Sequence, residues 1–415
     1  MTDKMKIHNR YIGYWLCSML MLFCVACGGS DGDAGDVPSP TPDPPEPTEP
    51  PKLSIQIYTP DRATVTRGDT GFAEPEDAEK AVHSLDIWVF VAGTETLVGH
   101  LSPTVSTSFE GGTYQIPVDE SFAEDHPNVD VFVVVNVYEA NTGLNLTSPT
   151  RESLLAAKIQ HQGDTDYFGV TALTKEPSET YGLPMSGILL NQELTVNLPV
   201  LKVDPPVKVM RAVSKVRFLF SRTDTGDSEI FKIKGITLAN DVIPMAEYLF
   251  LDPTNELKYH IDGNAGYESG VDASGIALVP SGVGDEIPDI PISAYPAKYA
   301  YDNNNESQPQ GQDYEDLIAR GLQGVDNNGV PEIVQLGRFY FRESDEKVTG
   351  QIAYQIGNGE VKYTPFSMVS AGDFSRNHTW IVYGYFAGKE TLKVSSVDVT
   401  DWEILNDTDH PVYNW

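Results

Sequence analysis

The alternation of apolar and polar positions starts at Leu53. In Leu53–Arg67 (LSIQIYTPDRATVTR), Leu53, Ile55 and Ile57 alternate with Ser54, Gln56 and Tyr58. That period of two predicts a strand with one buried face. A turn at Pro60-Asp61 ends it, and the stretch that follows carries Arg62 and Arg67, two basic sites open to a trypsin-like protease. If the strand packs in the body, its removal leaves an apolar groove. Further strands are predicted over Val82–Val91, Thr96–Leu101, Thr113–Val118, Val129–Val137, Glu193–Val203, Val207–Phe220 and Phe231–Thr237. The series continues with Gly275–Pro280, Ile290–Ala294, Glu332–Phe341, Val348–Ile356, Val361–Phe366, Thr379–Phe386 and Thr391–Val399. Val131–Val135 is apolar throughout and predicts a central strand covered on both faces. Helical periodicity is confined to Ser153–Lys158 and Tyr314–Gly321. Many short strands separated by turn residues predict an all-β chain of β-sandwiches. Asp204-Pro205-Pro206 separates two strong strand signals, and proline does not serve a central ladder. The predicted division is therefore a first sandwich over 53–204 and a second over 205–415. The polar segment Tyr301–Gly329 is long for a connection, and loops of that length are functional or disordered.

Upstream the pattern changes. Lys4, Lys6 and Arg10 precede the apolar run Tyr11–Ala26, which is short for a membrane span and has no stop-transfer flank. It predicts a signal peptide over 1–26. Ala26-Cys27-Gly28 resembles the end of a bacterial lipobox, with Cys24 where Leu is usual, and Cys27 is the expected lipidation site. The alternative is an ordinary signal peptide. Residues 27–52 are acidic and Pro-rich, with almost nothing to bury, and predict an extended disordered spacer. Asp31, Asp33 and Asp36 resemble the acidic signal that sends some lipoproteins to the outer face.

Composition sharpens this picture in two ways. All three cysteines (Cys17, Cys24 and Cys27) lie in the leader, so the body has no disulfide, thiolate zinc site or cysteine nucleophile. The formal charge of −32 excludes a nucleic-acid partner and gives no attraction to anionic membrane, leaving the N-terminal lipid as the only expected membrane contact.

No catalytic constellation emerges. The eight histidines are scattered without an HExxH pattern, no serine sits in GxSxG, and there is no P-loop or GxGxxG after a strand. Asp326-Asn327-Asn328-Gly329 lacks the alternating ligands and terminal Glu of a calcium loop. The expectation is a protein that is not an enzyme and holds no cofactor or metal. Arg67-Gly68-Asp69 spells an integrin-recognised tripeptide, which a Gly/Asp-rich turn produces by coincidence. Trp88 and Trp380 lie in strand runs and are expected in the core. Trp402 and Trp415 lie beyond the last long strand.

Several segments resemble the fimbrillin superfamily, the FimA/Mfa-type pilins of Bacteroidales. Leu53–Arg62 followed by Ala63 resembles their strand-then-arginine processing region. Val82–Val91 (VHSLDIWVFV) and Val129–Val137 (VDVFVVVNV) resemble core strands of the N-terminal domain, and Leu183–Gly187 (LPMSG) with Leu194–Leu201 the segment closing it. Met210–Phe220 (MRAVSKVRFLF) resembles the strand that opens the second domain. Phe374–Val382 (FSRNHTWIV) resembles the Arg-Asn-His-x-Tyr segment, with Trp380 in place of Tyr, and Val397–Trp402 resembles the closing strand. The order and spacing hold along nearly the whole chain. Cys24 and Tyr301–Gly329 depart from the pattern.

The resemblance implies two tandem transthyretin-like β-sandwich domains and a structural subunit of a surface pilus (fimbrium) involved in cell adhesion. It implies export as a lipoprotein to the outer membrane and cell surface, a cut by an arginine-specific protease, and polymerisation by donor-strand exchange. Leu53, Ile55 and Ile57 would then belong to the released strand. The cut would fall at Arg62-Ala63, with Arg67-Gly68 as second choice. The donor would lie in Thr391–Trp415, with Val394, Val397, Val399, Trp402 and Ile404 facing inward; the competing reading makes Thr391–Val399 the last strand of its own domain. Implied partners are other copies of the chain or related pilus subunits, the protease, and a host or bacterial surface receptor. The arginines suit a stalk or tip subunit, the apolar tail a stalk, and the 301–329 insertion a tip. Two alternatives remain at this stage: an anchor that keeps its first strand and lipid, and a surface glycan-binding lipoprotein with exposed aromatic platforms.

Overall fold

The computed structural model describes residues 49–59, 77–109, 111–138, 142–160, 182–223, 231–239, 244–252, 260–265, 267–271, 277–278, 294–295, 334–342, 348–368, 376, 379–387 and 391–399. In chain order the first half contains β1 (Lys52–Tyr58), α1 (Asp77–Lys80), β2 (Leu85–Val91), β3 (Leu97–Leu101), β4 (Gly111–Pro117), α2 (Glu120–Asp125) and β5 (Val129–Val135). It continues with α3 (Arg151–Leu155), β6 (Lys158–Gln160), β7 (Met185–Gln192), β8 (Leu194–Asn197), β9 (Val200–Val203), β10 (Val207–Lys208) and β11 (Met210–Arg211). One five-stranded sheet runs β10-β1-β9-β8 with β4 on the other side of β1, and a second runs β11-β7-β5-β2-β3. Leu53, Ile55, Ile57 and Leu201 from the first interlock with Ile87, Val89, Val131 and Val133 from the second in one core. This is a β-sandwich, built by side chains that alternate in and out of each strand.

All seven residues of β5 are buried, as its unbroken apolar run predicts. The reason is a third layer. The outer face of its sheet (Trp88, Phe90, Phe132, Val134) is covered by Leu154 of α3, Ile159 of β6, and Leu249 and Phe250. Helix α3 begins at Arg151, two residues before the predicted start, because Thr150 and Ser153 form a reciprocal capping box. The Glu95 carboxylate adds a second cap, accepting from the Arg151 and Glu152 amides at 2.7 and 3.1 Å.

The second half contains β12 (Ser214–Thr223), β13 (Phe231–Leu238), β14 (Pro244–Tyr248), β15 (Tyr267–Val271), β16 (Ala277–Leu278) and β17 (Ala294–Tyr295). It ends with β18 (Val334–Phe341), β19 (Val348–Ile356), β20 (Lys362–Met368), β21 (Thr379–Ala387) and β22 (Thr391–Val399). Strands β17-β12-β21-β22, with β18 also on β12, face a sheet of order β16-β13-β19-β20. Phe218, Phe220, Phe339 and Trp380 meet Ile236, Ile352 and Phe366 in a second core. The two sandwiches share a device. Each opens with a strand placed inside its sheet: β1 runs parallel to β9 and β10 and antiparallel to β4, while β12 runs parallel to β21 and antiparallel to β18.

Three expectations change. Val207–Phe220 is not one strand but three, and the first two belong elsewhere: β10 pairs with β1 and β11 with β7. Both therefore stand in the two sheets of the first half, although they follow Asp204-Pro205-Pro206. Asp204-Pro205-Pro206 marks the step from β9 to β10 along one side of β1, where two residues without an N–H interrupt the ladder. Glu193–Val203 is a hairpin, β8 and β9 pairing with each other across Leu198-Pro199. A small sheet of order β15-β14-β6, outside the predicted strands, joins β6 of the first half to β14 of the second. The predicted helix Tyr314–Gly321 and the segment 301–329 lie outside the described residues.

Candidate strand-receptor site

β1 is the first strand of the folded body, yet it sits between neighbours on both sides. On one side all seven residues pair antiparallel with β4, from Lys52 opposite Pro117 to Tyr58 opposite Gly111. On the other, Lys52–Ser54 run parallel beside Val200–Lys202, and Ile57-Tyr58 beside Val207-Lys208. Its ends are tied by main-chain bonds. The Lys52 amide donates to Pro199 O at 2.8 Å, Val118 to Pro51 O at 3.1 Å, and Val209 to Tyr58 O at 2.9 Å. Leu53, Ile55 and Ile57 are each 0% exposed, while the residues between them keep one side toward solvent. Burying those three side chains contributes about 5–9 kcal/mol. Gly111 is needed in the β4 wall: its φ is +139°, and a Cβ there would stand 2.6 Å from Ile57 O.

Such a slot offers two backbone edges and three apolar pockets at alternate positions, which together recognise an extended strand. Vacating it exposes unpaired N–H and C=O groups on both flanks.

A buried polar cluster lies behind α1, the element that follows the arginine-bearing stretch. The Glu79 carboxylate, fully buried, holds the Lys215 ammonium at 2.6 Å through one oxygen and 2.7 Å through the other, and accepts from the Tyr340 hydroxyl at 2.6 Å. Its main-chain oxygen accepts from the Arg211 guanidinium at 3.4 Å. Burial, opposed by Glu79 and reinforced by the charges of Arg217 and Arg211, holds the Lys215 ammonium down to about 7. Burial also lowers Arg217, against the pull of Glu79 and Tyr340. The short helix is thus fixed to β11, β12 and β18. Two more buried cations grip main-chain oxygens of the segment around β14. Arg342 donates to Pro244 O at 2.8 Å, and Arg376 to Leu249 O at 3.2 Å and Tyr248 O at 2.7 Å.

Against known proteins, no family model matches this chain and no curated protein matches it. Solved structures do. The chain is similar to the tip fimbrial protein Mfa3 from Porphyromonas gingivalis with C-terminal truncation, at 12% identity over 84% of this chain and 99% of that one, with a TM-score of 0.47. It is similar to a fimbrilin (fimA) from Porphyromonas gingivalis, at 13% identity over 86% of this chain and 98% of that one, with a TM-score of 0.45. It is also similar to a fimbrial assembly protein from Parabacteroides distasonis, at 13% identity over 84% and 95%, with a TM-score of 0.38. These similar structures are fimbrial proteins.

Of the residues singled out in the sequence, Leu53, Ile55 and Ile57 come together in the slot. Val394, Val397 and Val399 lie in β22, which pairs along all of β21, from Thr379 opposite Val399 to Ala387 opposite Thr391. Val394 is partly buried against the second core. Cys27, Arg62, Ala63, Arg67, Gly68, Trp402 and Ile404 lie outside the described residues. The cations of the junction had a signal in the sequence without an assigned role. Arg211 and Lys215 stand in Met210–Phe220, and Arg376 in Phe374–Val382, two segments that carry the fimbrillin resemblance. Glu79, their acidic counterpart, had none.

Proposed function

We propose that this chain is a structural subunit of a surface pilus in cell adhesion, assembled by proteolytically triggered strand exchange. The observation that carries this reading is β1 itself: a short strand, fully buried on its apolar face and flanked on both sides, next in sequence to Arg62 and Arg67. A cut at Arg62-Ala63, or at Arg67-Gly68, falls in sequence between β1 and α1 and severs the strand from the body. A strand from a second subunit then takes its place. The donor belongs to Thr391–Trp415. Because Val394, Val397 and Val399 are engaged in β22, Trp402 and Ile404 beyond it are the proposed inserting residues. Donor and acceptor are different surfaces, so the contact is heterologous and builds an open filament. Export proceeds through lipidation at Cys27 to the outer membrane, and the cut frees the body from that anchor.

The test is the double variant Arg62→Ala, Arg67→Ala expressed in the native cells. It is expected to fold, retain Leu53–Tyr58 and yield no filaments. Filaments of normal length from that variant would overturn the mechanism. N-terminal sequencing of the wild-type surface protein is expected to start at Ala63 or Gly68, whereas a lipidated Cys27 on every copy would identify an anchor instead.

A further inference from the structure

The sheet that holds β1 depends on it to an unusual degree. β8 and β9 pair with each other, but within this sheet β4 and β10 pair with β1 alone. Without β1 the sheet becomes a hairpin and two separate strands. β4 has little independent hold. Only Ile116 of its seven residues is buried, at 2% exposure, set over Gly99 of β3, whose missing Cβ leaves the room. β10 is two residues long and has no ladder but β1, although its Val207 is buried against Gly187 of β7. Isolated strands of this kind do not keep their place, because each needs a ladder partner and an apolar face to offset its lost chain entropy.

We infer that the strand-receiving site is not a preformed groove: β1, β4 and β10 open and close as one unit, and a strand taking the β1 position folds β4 and β10 onto itself. The ligand class follows from the register. It is an extended peptide with aliphatic side chains at three alternate positions, running antiparallel to β4 and parallel to β9 and β10. A strand offset by one residue would turn its polar set into the core. Coupled folding also means that a severed β1 stays seated until another strand displaces it, since leaving costs the order of both walls. This deepens the strand-exchange reading and rests on it for its purpose, though not for its geometry.

The test is hydrogen exchange of the full chain, read by peptide under native conditions. Amides of 52–58, 111–116 and 207–208 are expected to share one opening constant, while β2, β5 and β7 exchange more slowly. Ile55→Ala is expected to raise exchange in those three segments by the same factor, on the order of a hundredfold, and to leave β5 unchanged. Protection of 111–116 that persists while 52–58 exchanges would show a preformed groove and overturn the inference. If Ile55→Ala does not fold, the wild-type comparison of β1 with β4 decides alone. Neither measurement requires cleavage or filaments, so failure of the pilus reading in the arginine double variant leaves this result standing, and the reverse holds as well.

Discussion

Asn136 shows how one polar side chain can close an apolar strand. It follows β5 with φ +54°, in the left-handed region that Asn tolerates, and is fully buried. Its carboxamide oxygen accepts from the His83 amide at 2.7 Å, and its nitrogen donates to Ala81 O at 2.8 Å and Leu183 O at 3.0 Å. Asp would lack the donor and Leu both functions, so the amide alone fits one donor and two acceptors. Asp130 acts similarly from inside the buried strand β5. One carboxylate oxygen takes Gly93 N and the Arg151 Nε at 2.9 and 2.6 Å, and the other takes Asn191 N at 2.7 Å. Lys215 carries a measurable consequence. Its ordinary value is 10.5, and in the fold it is held to about 7. Between those values the unfolded chain binds more protons than the folded one, so stability rises with pH across that window. Urea midpoints are expected to be higher at pH 9 than at pH 7. The paired variant Glu79→Gln, Lys215→Met removes both charges together and should flatten that rise. A wild-type midpoint that falls from pH 7 to 9 would contradict the burial cause.

At the scale of elements, the contrast between Ile55 and Gln56 is the sharpest expectation. Ile55→Asp places a carboxylate in a dry pocket between two sheets and is expected to cost at least several kcal/mol. Gln56→Glu, one position along on the partly exposed face, should shift stability by no more than about 0.5 kcal/mol. Tryptophan fluorescence checks both, because Trp88 is buried in the first sandwich and Trp380 in the second. This asymmetry was legible in the sequence, as were β5, β19, β21 and β22, because periodicity is local information. Other elements were not. β10 and β11 sit inside a continuous strand signal, and only the positions of β1 and β7 divide it. β14 and β6 are strands because they find each other across some ninety residues. Of the candidate site, the three buried apolar side chains were readable, but the two walls were not, since β4 lies some sixty residues beyond β1 and β9 with β10 about 150 beyond it. The buried cations had no role assigned in the sequence, and only the oxygens they meet in the fold explain them.

The two halves of the described body are tied to each other at its middle. Strand β14 pairs with β6, Leu249 and Phe250 cover the outer face of the first sandwich, and Arg342 and Arg376 bind the same segment from the second half. Glu79 with Lys215 and Tyr340 makes a second tie. The halves are therefore expected to unfold in one transition. Arg376→Met removes a guanidinium that serves one buried and one part-buried carbonyl, with an expected cost of about 2–4 kcal/mol. It should also separate the transitions reported by Trp88 and Trp380. Coincident transitions in that variant would locate the coupling elsewhere, in the Glu79 cluster.

The placement of β1 also sets an order of events at birth. Its partner β4 emerges some sixty residues later and β9 and β10 about 150 residues later. During synthesis and export Leu53, Ile55 and Ile57 have no ladder to join until β4 has followed, and no second flank until β9 and β10 have. Long-range pairings of this kind form slowly, and an unsatisfied apolar strand is a sticky one in the meantime. The first strand of this sheet to be made is thus flanked on both sides only after its most distant partner has been made, and its apolar face waits until then.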